Sequence, residues 1–488
     1  MSAEREGCLD CLVLTGPKEI GTMAPRLYKL LAIGISSLLG AAYARQIDER
    51  NFSPSEVIER DVAIVGGGAT GTYAAVRLRE DLNQTVIVVE QQNHLGGHVN
   101  TYIDTARGIP IDYGVEVYDS LPAAIAFFQR FKIAMIPEGS VPFAQYSVDL
   151  NTGVNVTATA PSYIQALETY AGIVQKYAYL AVGYGEIPYP VPVELTEPFG
   201  QFIQTYGLQA LVPIIWTFAF GVGDLTATTT LDILQLFGPV QLNDLISGTF
   251  LVPETHDNSV LYQEAAALLG SDVLYNSVVI DSDRRNGGPV TLVVETPTGC
   301  KLIKAKKLLV TIPTTLSNMG PFGLDWQETA VFSQWRTQNS YVAVISNTGL
   351  PDDIDVTNVD ITQLYGLPKA PFVHEYSFSG DPGHFTVTVL GDDTLSADSA
   401  KNLILEGLAN MHKAGTINVT AHPEFDAFAP HVPLQLHVTA ESIKNGFYKQ
   451  LYALQGHRNT FYTGAGWAGD YSSVLWQFTE GILPAIVA

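Results

Sequence analysis

Six consecutive residues, Gly66-Gly67-Gly68-Ala69-Thr70-Gly71, have the types and spacing needed to cradle a pyrophosphate. They contain G-x-G-x-x-G: Gly66 permits a tight turn, Gly68 lets the backbone approach an anion, and Gly71 lets a helix pack closely on the preceding strand. Alone, the motif is a weak signal, because any glycine loop can match it. Its surroundings make it specific. Asp61–Val65 reads as a short buried strand, Thr72–Asp81 has small and apolar residues at helical spacing, and Val86–Val89 is a second apolar run ending in Glu90, 19 residues beyond Gly71. Strand, glycines, helix, strand and terminal acid in register predict a dinucleotide site. Glu90 is then the acceptor for the adenosine ribose hydroxyls and would repel a 2′-phosphate.

A second glycine doublet, Leu95-Gly96-Gly97-His98, follows closely after Glu90. A nicotinamide fingerprint does not call for it. In a flavoprotein it brings a second backbone stretch over the pyrophosphate, and this moves the expected cofactor to FAD.

On these residues the sequence resembles the flavin-containing amine oxidase superfamily, and within it the fungal β-cyclopiazonate dehydrogenase-type oxidoreductases. The resemblance continues through Ile111-Asp112-Tyr113-Gly114-Val115-Glu116-Val117, similar to the segment that runs along the isoalloxazine, which implies that Gly114 and Val117 border the flavin. It includes Val273–Ile280, with Val278 where the backbone meets adenine, and Lys307–Pro313. It ends in Phe461-Tyr462-Thr463-Gly464 and Gln477–Gly481, the segment that returns to the flavin. The implied fold is α/β: a Rossmann-like FAD-binding domain from discontinuous segments (58–130, 250–324 and 456–488) plus an α+β, amine oxidase-like substrate domain (131–249 and 325–455).

The departures from the family are specific. His98 stands where an arginine is common, so a fixed positive charge near the pyrophosphate is missing. The acid that usually follows the C-terminal glycine is displaced to Asp470, the candidate holder of the ribityl chain. The strand Ser340–Ser346 lacks the lysine that many amine oxidases place there, which argues against simple amine oxidation. Among candidate catalytic residues, Phe478 is expected as an aromatic facing the substrate, and Glu116 and Tyr341 as acid or base. Thr479, at the start of an expected helix, is the candidate backbone donor to the flavin O2/N1 edge.

The rest of the chain bounds these readings. Its 488 residues are 47% hydrophobic and 15% charged, which excludes a disordered chain, and the formal charge of −23 disfavours nucleic acid as a partner. No histidine and acid cluster has metal-ligand spacing, so no metal is expected, and Cys300 reads as structural. Ahead of the fold, residues 1–44 read as a prefix and signal peptide. From Met23 to Ala44 run Arg26 and Lys29, an apolar stretch Leu30–Leu39 and the triplet Ala42-Tyr43-Ala44, the order of a cleaved secretory signal and too short for a confident membrane span. Translation from Met23 instead of Met1 is a second possibility. Sequons at Asn51, Asn83, Asn155 and Asn418 fit a secreted or secretory-pathway glycoprotein. Pro161–Tyr184 is expected as one long helix, Gly207–Gly223 as an apolar stretch, and Phe372–Leu390 as a hairpin. The expected function is an FAD-dependent oxidoreductase that takes a hydride from an apolar or aromatic small molecule to flavin N5, with oxygen the expected acceptor. The resemblance places it in fungal secondary metabolism, with linked cyclisation left open. The alternatives are a redox-neutral double-bond isomerase and a catalytically inactive flavin-binding paralogue.

Overall fold

The computed structural model describes residues 47–139, 143–157, 162–285, 288–417 and 422–488. The segment expected as a signal peptide, Cys8, Cys11 and Asn418 lie outside them. Asn51, Asn83 and Asn155 are exposed.

The first sheet has seven strands: β1 (Val57–Val65), β2 (Val86–Val89), β9 (Val273–Leu274), β10 (Val278–Arg284), β11 (Val290–Thr296), β12 (Gly299–Val310) and β19 (Thr460–Tyr462). It runs β10-β11-β12-β1-β2-β9, with β19 also on β12. β1, β2, β9, β12 and β19 pair in parallel, while β10 and β11 form an antiparallel extension. The apolar runs read from the sequence are buried on both faces, as parallel strands require. Ala63, Val65, Ile87 and Val89 enter one core, and Val62, Ile64, Val86 and Val88 enter the other. The second core is closed by helices Ala69–Glu80, Pro122–Arg130, Ser259–Leu269 and Ser472–Val487.

The second sheet has eight strands: β6 (Ala144–Asp149), β7 (Val154–Asn155), β13 (Arg336–Ser346), β14 (Ile354–Asn358), β15 (Phe372–Phe378), β16 (His384–Asp392), β17 (Glu424–His431) and β18 (Leu436–His437). The hairpin expected over Phe372–Leu390 is β15–β16. Alternation along the strands sends Tyr341, Ala343, Ile345, Val387 and Val389 to a third core under the helix Ala397–Ala414. The opposite face carries Ser340, Val342 and Val344 and turns toward the first sheet. Two small ribbons, β3 (Thr101–Asp104) with β4 (Ile109–Asp112) and β5 (Met135–Pro137) with β8 (Leu251–Pro253), join the two sheets.

Arg107, in the β3–β4 turn, fastens that ribbon to the β15–β16 turn. Its guanidinium reaches Asp381 at 2.6 and 3.0 Å, Asp104 at 2.8 Å and His384 at 3.1 Å. Asp104, Asp381 and His384 are close enough to hold a metal, but Arg107 already supplies the cation among them. The helix expected over Pro161–Tyr184 is interrupted: an α-helix covers Ile164–Val174 and a 3₁₀ segment covers Gln175–Leu180, with Tyr177 outside helical geometry. Gly207–Gly223 forms the helix Val212–Ala219 between two 3₁₀ turns.

Candidate functional site

The two glycine motifs meet. Gly96 N–H donates to Gly67 C=O at 2.9 Å, and Gly68 and Gly96 form a parallel bridge. Gly66 has φ +101, a conformation that disfavours side chains. At Gly71 an added Cβ would fall 1.9 Å from Gly66 O, so helix and turn touch there. At Gly68 an added Cβ would meet only Gly97 Cα at 3.7 Å. That open cradle lies at the start of Ala69–Glu80, a helix with no side-chain cap, so its first N–H groups are free for an anion. The cradle fits the pyrophosphate of FAD.

Glu90 closes the other side of the turn. Its buried carboxylate accepts from Gly67 N–H at 2.5 Å and from Gln92 N–H at 2.7 Å. Lone pairs beyond these two bonds remain for a ribose. Ser277 N–H donates to Glu90 C=O at 2.9 Å, which brings Val278 beside Glu90. Gly464 packs on Thr311 and Thr70, so the C-terminal return reaches the same turn. Gly114 packs on His98: a Cβ there would lie 2.1 Å from His98 O. Gly66, Gly68, Gly71, Glu90, Gly96, Gly97, Val278 and Gly464 thus gather around one turn, and Gly114 lies against His98, the residue after Gly97. Val117 continues the Gly114 segment.

His98 differs from expectation in its partner. Its ring stacks on His431 at 4.1 Å and 14° between planes, and His431 also pairs with Asn100 at 2.9 Å. His431 is buried at the end of β17. Burial lowers His98 to about 4, and burial together with His98 lowers His431 well below the ordinary imidazole value. Both rings are neutral at physiological pH, so no protonated histidine replaces the family's arginine.

Three candidates are corrected. Thr479 does not start a helix: Ser472–Val487 begins seven residues earlier, and the Thr479 hydroxyl bonds Leu475 C=O at 2.7 Å. The uncapped first turn belongs to Ser472, Ser473 and Val474, beside Asp119, whose N–H donates to Ser473 Oγ at 2.9 Å. Phe478 is 7% exposed and packs edge-on against Tyr452 at 5.7 Å; it is a core residue and not an exposed cavity wall. Tyr341 is also 7% exposed, faces the third core, stacks on Phe428 and donates to Leu395 C=O at 3.2 Å. Strand parity turns its side chain into the third core.

Asp470 precedes the uncapped turn and lines a small cavity with Tyr184, Asp232, Gln235 and His437. Burial raises it to about 6. Glu116 combines a solvent-reachable surface with surroundings dense enough to raise its carboxyl to about 8, through burial and then the charges of Glu375, Asp112, Glu138 and Asp355. Asn258, fully buried, fixes the segment by donating to Val115 C=O at 2.7 Å and Glu116 C=O at 3.2 Å. Sequence reading misses Asn258, Glu375 and His374. The last two leave one trace, consecutive polar residues in an alternating strand.

A nucleotide cradle on a parallel sheet, a second sheet closing over it and a C-terminal helix end aimed back at the same turn define a flavoprotein of the amine oxidase fold. Comparison with known proteins agrees. Residues 64–131 match the NAD(P)-binding Rossmann-like domain. The chain is 38% identical over 465 residues to beta-cyclopiazonate dehydrogenase of Aspergillus oryzae, covering 94% of this chain and 99% of that one. It is 34% identical to FAD-dependent oxidoreductase pigF of Monascus ruber, with 94% and 99% covered. Among solved structures, a CLA-producing fatty acid isomerase from P. acnes superposes with TM-score 0.72 at 17% identity, covering 88% of this chain and 99% of that one. Putrescine oxidase superposes with TM-score 0.60 at 15% identity and the same coverage. The chain belongs to the family of FAD-dependent oxidoreductases that includes beta-cyclopiazonate dehydrogenase, and it is an enzyme that uses FAD.

Proposed function

We propose that this enzyme dehydrogenates an apolar or aromatic small molecule in a fungal biosynthetic pathway. The observation that carries the reading is Glu116, exposed on the segment that follows Gly114 yet raised to about 8 by burial and then by the charges of Glu375, Asp112, Glu138 and Asp355, while the rings of Trp216 and Phe220 gather on His374, the neighbour of Glu375. FAD, when bound, supplies the acceptor for a hydride. The protein's part is orientation and exclusion of water. The glycine cradle and the helix end at Ala69 hold the pyrophosphate, and Glu90 the ribose. The free N–H groups of Ser472–Val474 would stabilise negative charge on a bound cofactor that reached this helix end. Asp470 is the candidate for the ribityl chain, and Glu116 is the group placed to exchange a proton with substrate. Oxygen is the proposed electron acceptor, and the signal-like segment Met23–Ala44 with the exposed sequons supports a secretory location. No helix of the described residues is long and apolar enough to cross a membrane.

The purified protein should be yellow, and a panel of aromatic natural products should contain one that bleaches it anaerobically. Product formed with no net acceptor consumption would establish the isomerase instead. A colourless protein that FAD cannot reconstitute would refute the assignment of the cradle.

A further inference from the structure

Two spaces meet at β18. The inner one is the enclosed cavity beside Asp470, lined also by Val222, Asp232, Leu436, His437 and Gly466. Its volume of about 10 Å³ admits no more than a water, so nothing larger enters until a wall residue moves. The outer one is an open cleft of about 360 Å³, within the range of small-molecule sites, lined by Trp335, Arg336, Thr337, Gln338, Asp393 and His437. His437 belongs to both. The wall between them is one side chain thick: a Cβ added at Gly466, on the inner side, would stand 3.1 Å from the Trp335 ring on the outer side, and Gln338 Nε2 reaches Val222 C=O at 3.4 Å. β18 itself has two residues, Leu436 and His437, opposite Thr337 and Arg336 of β13. Trp335 is fixed by its bond to Thr314 Oγ1 at 3.1 Å and its edge-on contact with Phe447 at 4.7 Å. The half-buried His437 side chain has no hydrogen-bond partner among the described residues, so no polar contact holds it in place.

The outer cleft also holds a cation without a counter-ion. The chain carries 49 acidic residues against 26 basic ones, and every other arginine among the described residues is in an ion pair. Arg336 is exposed and in none, although Asp393 lines the same cleft. A guanidinium left free in so acidic a chain is a ready partner for an incoming carboxylate, which it grips through two parallel N–H bonds. Trp335 and Thr337 add an aromatic ring and a hydroxyl to the cleft. Arg336 and His437 are a direct cross-strand pair, so their side chains share one face and an anion held at Arg336 lies beside the partition. Burial and then Arg336 lower His437 to about 4, which leaves its ring neutral and no competitor for that anion.

We propose that this cleft is where substrate docks on its way to the flavin, that Arg336 selects there a carboxylate or comparably delocalised oxyanion, and that His437 is the partition that swings aside to admit the rest of the molecule. The inner cavity, with Asp232 and Asp470, repels an anionic end, which therefore stays at Arg336 while the apolar body passes inward. Beyond the partition lie Asp470 and the uncapped helix start at Ser472, the cofactor side of the site. The assignment rests on the reading that a small molecule is oxidised at the flavin, and it narrows the substrate class to an aromatic or apolar body with one anionic end. Arg336 and His437 are then residues of recognition and passage, not of the chemistry.

The test uses the FAD-loaded enzyme as wild type, Arg336→Glu, Arg336→Lys, His437→Ala, His437→Trp and Arg50→Glu, each checked for retained flavin absorbance. Two reactions of the bound flavin need no substrate: reduction by dithionite, an anion, and reoxidation by oxygen, which is neutral. At low ionic strength Arg336→Glu should slow the reduction by about tenfold and leave reoxidation unchanged, the difference shrinking as salt is added. Arg336→Lys, which keeps the charge, and Arg50→Glu, an equal change of net charge outside the cleft, should both reduce at the wild-type rate. His437→Ala should speed both reactions, and His437→Trp should slow both. Benzoate should slow reduction of the wild type but not of Arg336→Glu, whereas neutral benzamide should slow neither. A reduction rate unmoved in Arg336→Glu, or benzoate and benzamide acting alike, overturns the anion site. Flavin rates indifferent to both His437 variants overturn the passage. If no compound of a substrate panel bleaches the flavin, the oxidoreductase reading fails, whereas these rates still decide the route.

Discussion

Replacing Gly68 by leucine should separate cofactor loading from folding. Gly68 has φ −68 and ψ −166, which any residue can adopt, and its added Cβ stands at an ordinary contact distance of 3.7 Å from Gly97 Cα. A Cβ therefore has room there, and the rest of the leucine would extend over the pyrophosphate cradle. The expected loss is the whole of the stabilisation that FAD confers. This amounts to about 2.7 kcal/mol when free FAD is at 100 times its dissociation constant and about 4.1 kcal/mol at 1,000 times. Gly71→Ala is the contrasting variant. Its methyl would lie 1.9 Å from Gly66 O and 2.8 Å from Thr311 Oγ1, a backbone clash that overpacks the strand–helix turn and costs about 1–3 kcal/mol even without cofactor. Thermal melts of both variants and the wild type, with and without added FAD, give the comparison. Gly68→Leu should match the wild-type apoprotein and gain nothing from FAD, whereas Gly71→Ala should melt early in both conditions. Stoichiometric flavin in purified Gly68→Leu would refute the cradle.

Two further outcomes test the frame around the site. Arg284 and Glu328, both with fully buried side chains, pair at 2.7 and 3.0 Å and are joined by Arg458 at 3.0 Å and the Tyr462 hydroxyl at 2.7 Å. Glu328→Gln should cost roughly 3–5 kcal/mol in denaturant titrations, because a buried guanidinium loses its counter-charge. Burial alone would raise the Glu328 carboxyl, but Arg284 and the surrounding hydrogen bonds outweigh it and hold the group below its ordinary value. Its contribution is therefore present above the unfolded carboxyl range of about 4.3 and is lost as pH falls through the folded value. A variant whose stability deficit does not shrink on acidification would contradict that sign. Tyr341→Phe should lose about 1 kcal/mol with its bond to Leu395 and leave turnover unchanged. A tenfold fall in kcat would place Tyr341 on the inner face after all.

The nucleotide half of the site was legible in the sequence because its determinants are local. The glycine turn, Val86–Val89 and Glu90 lie within one strand–helix–strand unit, where spacing fixes geometry. The opposite wall was not, for identifiable reasons. Thr479 was displaced from the helix start because the segment Ala465–Asp470 forms its own turn, with an Ala465–Ala468 bridge, before the helix begins at Ser472. Tyr341 lies on the correct strand but the wrong face, since one residue of register exchanges the two faces. His431 meets His98 from 333 residues away in the chain, a contact that no spacing rule encodes. The register shift at His374 announced itself only as a break in alternation, and its surroundings depend on Phe220 and Trp216 arriving from elsewhere.

The position of β12 has a consequence for how the enzyme is made. Its first half pairs with β11 and its second half, Leu308–Val310, with Thr460–Tyr462. Trp476 and Glu480, from the last helix, bind Ala69 C=O and the Tyr73–Arg77 pair of the first. A chain still being synthesised presents the glycine turn early, on an unfinished sheet whose edge at Leu308 stays open until the end. Pairing of such distant segments is slow and leaves strand edges exposed in the meantime. A chain cut before Thr460 should therefore lack the strand that closes this edge and the helix that binds Ala69, and should reach the cell's quality control as an edge-exposed intermediate.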